Sequence, residues 1–317
     1  MLARSELLGK VGQPIAPIAN FMLSKNMVRW GMEALLKIHK DAPLPKFAKK
    51  RFTSWFRQRP KPTNLWRQVV YFHGCSTEYY EPRVGQAAIY VLEANGFEVI
   101  IPPQNCCGLP LLSNGEFKAA RSYHQNNVRS LSRYAKQGIP IVGTSTSCTL
   151  TLKEEAPELL DMYDDDTHLV AANTYDINEF LLLLLEEGTL NTNFKPLPYT
   201  LPYHAPCQYR AHRLGNPAVD VLNLIPKLQV VESHADCCGI AGTYGYKTEK
   251  YQIALDVGKP LFDFVRKSNS GLVICDSETC RWQITNITEI PAFHPVELIA
   301  IAYGFPEGGL LENLLNQ

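Results

Sequence analysis

One pattern of cysteines occurs twice, in register, and it restricts the possible folds of this chain more than any other feature. Cys75, Cys106-Cys107-Gly108 and Cys148 make the first copy; Cys207, Cys237-Cys238-Gly239 and Cys280 make the second. Cys75 precedes Cys106 by 31 positions and Cys207 precedes Cys237 by 30. Cys107 precedes Cys148 by 41 and Cys238 precedes Cys280 by 42. Cys275 is the ninth and last cysteine. A solenoid needs several short repeats. Two copies of this length predict two fused half-domains facing each other.

Each cysteine site follows a short β-prone run. Val69–Phe72, Phe97–Ile101 and Ile139–Val142 precede the sites of the first copy. Tyr199–Tyr203, Leu228–Val231 and Leu272–Ile274 precede those of the second. Between them, Val84–Ala94, Phe117–Lys136, Val219–Leu224 and Glu249–Lys267 read as helix. Strand–helix alternation predicts an α/β fold with parallel sheets and crossover helices. We expect an arm over residues 1–67, a first Cys-Cys-Gly half-domain over 68–190 and a second over 191–317. The turn-rich stretch from Glu186, with two prolines by Pro198, marks the boundary between the halves.

In a parallel sheet, ligands bind beyond the carboxyl ends of the strands. The thiols of each half can therefore converge on one rim. Clustered thiolates select iron–sulfur clusters or zinc. Mononuclear zinc favours two-residue cysteine spacings. An adjacent pair with distant partners suits a larger multinuclear cluster, and the glycine after each pair allows a tight turn and close approach. Zinc and a redox-active dithiol are the alternatives. His73 and His204 stand just before the first cysteine of each half and read mainly as hydrogen-bonded histidines at strand ends. No phosphate-binding or dinucleotide fingerprint occurs.

Composition narrows the classes further. Lys+Arg and Asp+Glu are both 31, which does not favour a general polyanion binder, so no nucleic-acid partner is expected. No export signal is visible, and the longest apolar run, Phe180–Leu185, is far short of a membrane span. That predicts a reducing, cytoplasmic location, where nine cysteines read as metal ligands or redox groups. In the arm, Ala16–His39 carries apolar residues at helical spacing, after which Pro43, Pro45, Pro60 and Pro62 break the chain. Lys37–Arg67 holds ten Lys/Arg against one Asp, interleaved with Phe47, Phe52, Trp55, Phe56 and Trp66. Such a segment either packs on the body with a solvated basic face or lies on an anionic membrane.

The motifs Phe72-His-Gly-Cys75, Cys106-Cys-Gly-Leu-Pro110, Tyr203-His-Ala-Pro-Cys207, Asp236-Cys-Cys-Gly239 and Ser277-Glu-Thr-Cys280 resemble the Cys-Cys-Gly domain family. That family is typified by the B subunit of heterodisulfide reductase and includes the C subunits of anaerobic glycerol-3-phosphate dehydrogenases. The resemblance covers about residues 10–305. It implies an electron-transfer subunit holding iron–sulfur clusters of the [4Fe-4S] type, the noncubane form included. It implies flavin-containing glycerol-3-phosphate dehydrogenase subunits and the quinone pool as partners, and a peripheral position on the inner membrane. The ligands it implies are Cys75, Cys106, Cys107 and Cys148, then Cys207, Cys237, Cys238 and Cys280. The family pattern ends each repeat in C-x-x-C, where this chain has Ser145 and Ser277 at the first positions. Cys275, two residues before Ser277, is a candidate substitute. The family's C subunits begin with a ferredoxin-like region bearing two cubane clusters. No cysteine precedes Cys75, so that region is expected to be missing from this chain.

Overall fold

The structure is a computed structural model that describes residues 2–60, 62, 63 and 65–306. It contains two four-stranded sheets, every pairing parallel. The first runs β2-β1-β3-β4, with β1 at Arg67–Phe72, β2 at Phe97–Ile100, β3 at Ile141–Gly143 and β4 at Thr174–Asp176. The second runs β6-β5-β7-β8, with β5 at Thr200–His204, β6 at Gln229–Glu232, β7 at Val273–Cys275 and β8 at Ala292–Phe293. The two topologies are identical, as the paired cysteine spacings predict. Val69 to Phe72 of β1 are all buried, because helices cover both faces of a parallel sheet.

Two strands and one helical stretch differ from the sequence reading in informative ways. β4 and β8 carry no strand signal in the sequence, since two or three residues are too few for a periodicity. The apolar run from Ala16 is two helices, Ala16–Leu23 and Asn26–Leu36. Ser24 Oγ donates to Phe21 O at 2.7 Å, and Lys25 is extended, so the helix ends there. With Ser5–Gly12 as α1, these are α2 and α3, and Phe52–Gln58 is α4 of the N-terminal arm. Lys61 of the basic segment and residues 307–317, the end of the expected second half-domain, lie outside the described residues.

Each half ends on a helix entered through a capping box. Asp176 and Glu179 cap Ile177–Glu186; His294 and Glu297 cap Pro295–Tyr303. These terminal helices cross over the seam. Ile177–Glu186 packs on Pro217–Leu222 of the second half, and Pro295–Tyr303 packs on Pro82–Ala94 of the first. The result is one shared core, in which Tyr71, Leu92 and Leu181 join Tyr203, Leu222 and Ile299.

A buried polar network crosses the same seam. Tyr203 and Tyr209 donate to Asp276 at 2.8 and 2.7 Å, and Asn178 Nδ2 donates to it at 2.8 Å. Asp176 accepts from the Asn178 backbone at 2.9 Å, while its Oδ2 has no partner among the described residues. Burial raises both carboxyls: Asp276 to about 6, against the tyrosine hydrogen bonds, and Asp176 well above the usual range, with the Asp276 charge adding to the effect. An unfolded aspartate titrates near about 3.9. The fold therefore holds protons that the unfolded chain has released, and stability falls as pH rises from about 4 through the raised values. Asp176→Asn, which caps a helix equally well, should match the natural chain in free energy of unfolding by urea at about pH 3.5, where the unfolded aspartate is still largely protonated. At pH 8 it should exceed it by roughly 1–2 kcal/mol. Equal free energies at both pH values would contradict this account.

Candidate metal centre

Every cysteine lies at or just past the carboxyl end of a strand. Cys75 sits in helix Gly74–Tyr79 after β1, Cys106 and Cys107 in the loop after β2, and Cys148 in helix Thr146–Leu150 after β3. In the second half, Cys207 opens helix Cys207–His212 after β5. Cys237 and Cys238 lie in the loop after β6, Cys275 ends β7, and Cys280 lies in helix Glu278–Thr288. Chain order reverses around β1 and around β5, so loops after neighbouring strands diverge there and leave a crevice.

The thiols meet at those crevices. Cys75 and Cys106 sulfurs are 3.6 Å apart; Cys107 adjoins both Cys106 and Cys148. Cys238 and Cys280 sulfurs are 2.9 Å apart; Cys237 adjoins Cys207 and Cys238, and Cys275 adjoins Cys280. Thus the structure brings together all four first-half residues and all five second-half residues singled out from sequence. The glycine after each pair has the left-handed backbone expected of it, φ 96° at Gly108 and 84° at Gly239. A Cβ at Gly239 would lie 1.8 Å from Ala254 O, so the second turn closes directly on the helix behind it.

The two groups face one cavity of about 580 Å³. Eight cysteines line it; Cys275, fully buried in β7, does not. The apolar part of the wall comes largely from the arm, with Leu8, Met22, Leu23, Met32 and Leu36, and from Trp282 of the body; Ser147, Gln208 and Glu278 are among its polar residues. The arm also reaches the sulfurs. Glu6 Oε2 accepts from Cys106 N at 2.9 Å, and Ser5 Oγ lies 3.6 Å from Cys75 Sγ. No local pattern announces these arm residues, because their partners lie 70 and 100 positions away.

The histidines of the two halves behave differently. His73 bonds Gly74 O at 2.7 Å and packs on Phe52. His204 bonds Ser233 Oγ at 3.2 Å through Nδ1, which is the strand-end role. Its buried Nε2 has no nitrogen or oxygen partner among the described residues, and His204 groups with Cys238 and Cys280, ligand atoms within 4.8 Å of one another.

Thiols this close cannot all ionise unaided. Cys75 is raised by its contact with Cys106, Cys106 by Cys107; Cys107 is raised by Cys148 and burial, and Cys148 by burial, against the stabilising contact each has with one neighbour. In the second half, Cys237 is lowered by its contact with Cys207, and Cys280 by Cys238 and Cys275, while Cys207, Cys238 and Cys275 are raised. Such crowded sulfurs call for cations that displace their protons. The donor set, four or five sulfurs per site beside a largely apolar cavity, fits a thiolate-bound multinuclear iron centre.

Comparison with known proteins matches this reading of the repeat. The family described as cysteine-rich domain, CCG, matches twice, over residues 69–153 and 201–285. The C subunit of the anaerobic glycerol-3-phosphate dehydrogenase of Escherichia coli (strain K12) is 36% identical over 305 residues, spanning 95% of this chain and 76% of the relative. The B subunit of the fumarate reductase (CoM/CoB) of Methanothermobacter marburgensis is 30% identical over 74% of this chain and 46% of its own. Lactate utilization protein A of an Exiguobacterium species is 27% identical over 76% of this chain and 97% of its own.

Proposed function

Since this chain belongs to the cysteine-rich CCG domain family, we propose that it is the iron–sulfur electron-transfer subunit of a glycerol-3-phosphate dehydrogenase complex of anaerobic respiration. In this reading it passes electrons from a flavin subunit toward the quinone pool. One observation carries the electron-transfer role: eight cysteines of two repeats line a single apolar cavity. The donor complex is suggested by the 36% identical relative that bears that name.

Cys75, Cys106, Cys107 and Cys148 would hold one centre, and Cys207, Cys237, Cys238 and Cys280 the other, with Cys275 behind Cys280. The reading takes residues 68–190 and 191–317 as the two cluster-bearing units and 1–67 as the arm. A bound [4Fe-4S] cluster, cubane or noncubane, supplies a one-electron acceptor and donor. The chain's own residues set its surroundings. Backbone N–H groups such as Gly239 N, 3.3 Å from Cys237 Sγ, temper the charge on sulfur. The apolar arm covers the buried sulfurs. Cys207 is exposed whereas Cys106, Cys107 and Cys148 are buried, so exchange with a soluble partner is easiest at the second half.

The arm suits a peripheral place on the cytoplasmic membrane. Among the described residues no helix is long and apolar enough to cross one. Yet Ile18, Phe21, Met27, Trp30 and Leu35 of α2 and α3 are all at least 60% exposed. Lys25 and Lys40 sit over the Phe21 and Trp30 rings at 4.3 and 5.9 Å. Apolar side chains flanked by lysines match the acyl–headgroup boundary of an anionic leaflet.

Anaerobic purification followed by iron and acid-labile sulfide assay, with EPR after stepwise reduction, tests the reading. We expect both elements bound and paramagnetic signals that titrate as one-electron steps. Stoichiometric zinc without iron would sink it.

A further inference from the structure

This inference rests on the iron–sulfur reading and concerns an unequal supply of donors. In the second half, β5 and β7 align His204 with Cys275. The matching register of the first half aligns Phe72 with Gly143, so that half lacks the fifth thiol. Its supply of sulfur stops at Cys75, Cys106, Cys107 and Cys148.

We propose that Glu278, a residue of the second half, is a carboxylate ligand of the first-half iron centre. Glu278 lines the same cavity as those four cysteines. Its Oε1 accepts from Ser145 Oγ at 3.2 Å, and Ser145 caps the short helix that carries Cys148. Its Oε2 is shut off from solvent and has no hydrogen-bond partner among the described residues. A buried carboxylate oxygen left bare is destabilising unless something positive or a donor meets it.

The neighbouring cation, Arg281, favours the ionised carboxyl through its charge but makes no hydrogen bond to it. Arg281 donates to Cys275 O and Asp276 O at 2.9 and 2.6 Å and pairs with Glu81. Glu81 is held in turn by Trp282 Nε1 at 2.8 Å. What the carboxylate does reach is the first half: it shares the cavity wall with Cys75, Cys106, Cys107 and Cys148, and its Ser145 contact sets it at the head of the helix that carries Cys148. Iron accepts carboxylate beside softer donors. A ligand from the opposite half would also tie assembly of the first centre to correct docking of the two halves.

The test uses the full chain loaded anaerobically with ⁵⁷Fe and sulfide, comparing the natural protein with Glu278→Ala, Glu278→Gln and Glu278→Cys. Mössbauer spectra of the natural protein should contain an oxygen-ligated iron site. That site should vanish in Glu278→Ala and become thiolate-like in Glu278→Cys. Loss of first-half iron to a chelator should quicken roughly tenfold or more in Glu278→Ala, while the second-half EPR signal stays in place and reports an intact fold. Should Glu278→Ala fail to fold, Glu278→Gln carries the test, since it keeps the shape and the Ser145 contact and loses the charge. Unchanged spectra and chelation rates in the loaded variants would overturn the assignment alone. Absence of iron from the natural protein would overturn it together with the electron-transfer reading.

Discussion

Cys107→Ser should empty the first-half centre and leave the second one loaded. Cys107 lies between Cys106 and Cys148 and touches both, so its sulfur is the link through which that group is continuous. It is buried in a largely apolar wall, so the serine hydroxyl is the one donor left at its place. Serine is a harder and far weaker ligand for iron than thiolate. Without the ion, the remaining thiols stay protonated in a low-dielectric wall. Iron per chain should drop to about half, with one of two EPR signals lost. The opposite variant, Cys238→Ser, should lose the other signal. If either substitution abolished both signals in a folded chain, the two thiol groups would be serving one shared centre. If neither altered iron content, the ligand assignment would fail.

Phe21→Glu, Trp30→Glu and Leu35→Glu, introduced together, should release the protein from vesicles. These side chains of α2 and α3 are 60%, 62% and 83% exposed and do not line the cysteine cavity. Each contributes about 1.5 kcal/mol or more on leaving water for an acyl environment. Losing three such terms, before counting the added negative charge, weakens partitioning roughly a thousandfold. The measurement is co-sedimentation with vesicles containing anionic phospholipid at low and physiological salt. Iron content should not change, because the cavity wall is made by other residues of the same helices, among them Met22, Leu23, Met32 and Leu36. Undiminished binding would show that the arm's outer face meets something other than lipid.

Much of the architecture is legible in the order of residues. The six strands that precede cysteines lie within two residues of their expected ends, because each is rich in β-branched or aromatic residues and bounded by turn residues. β4 and β8 escape such a reading because their pairing, not their composition, makes them strands. In the site, the cysteines are recoverable from spacing alone. Glu6, Ser5 and Glu278 are not, since a single acid or hydroxyl carries no period and each gains meaning from a partner 70 to 133 positions distant. His204 is legible as a strand-end histidine and makes that bond. Its proximity to Cys280 depends on how β5 and β7 align.

The linear order of residues settled that there are two parallel-sheet units, and that each carries its sulfurs beyond the strand ends. Both follow from local rules, strand period and turn chemistry, that act over a few residues. That the two sulfur groups open onto one cavity, that an apolar arm roofs it, and that an acid of one half reaches the other follow from packing. Each half had to bury its apolar helices, and the nearest apolar cover was its neighbour, so the seam brought the two rims face to face.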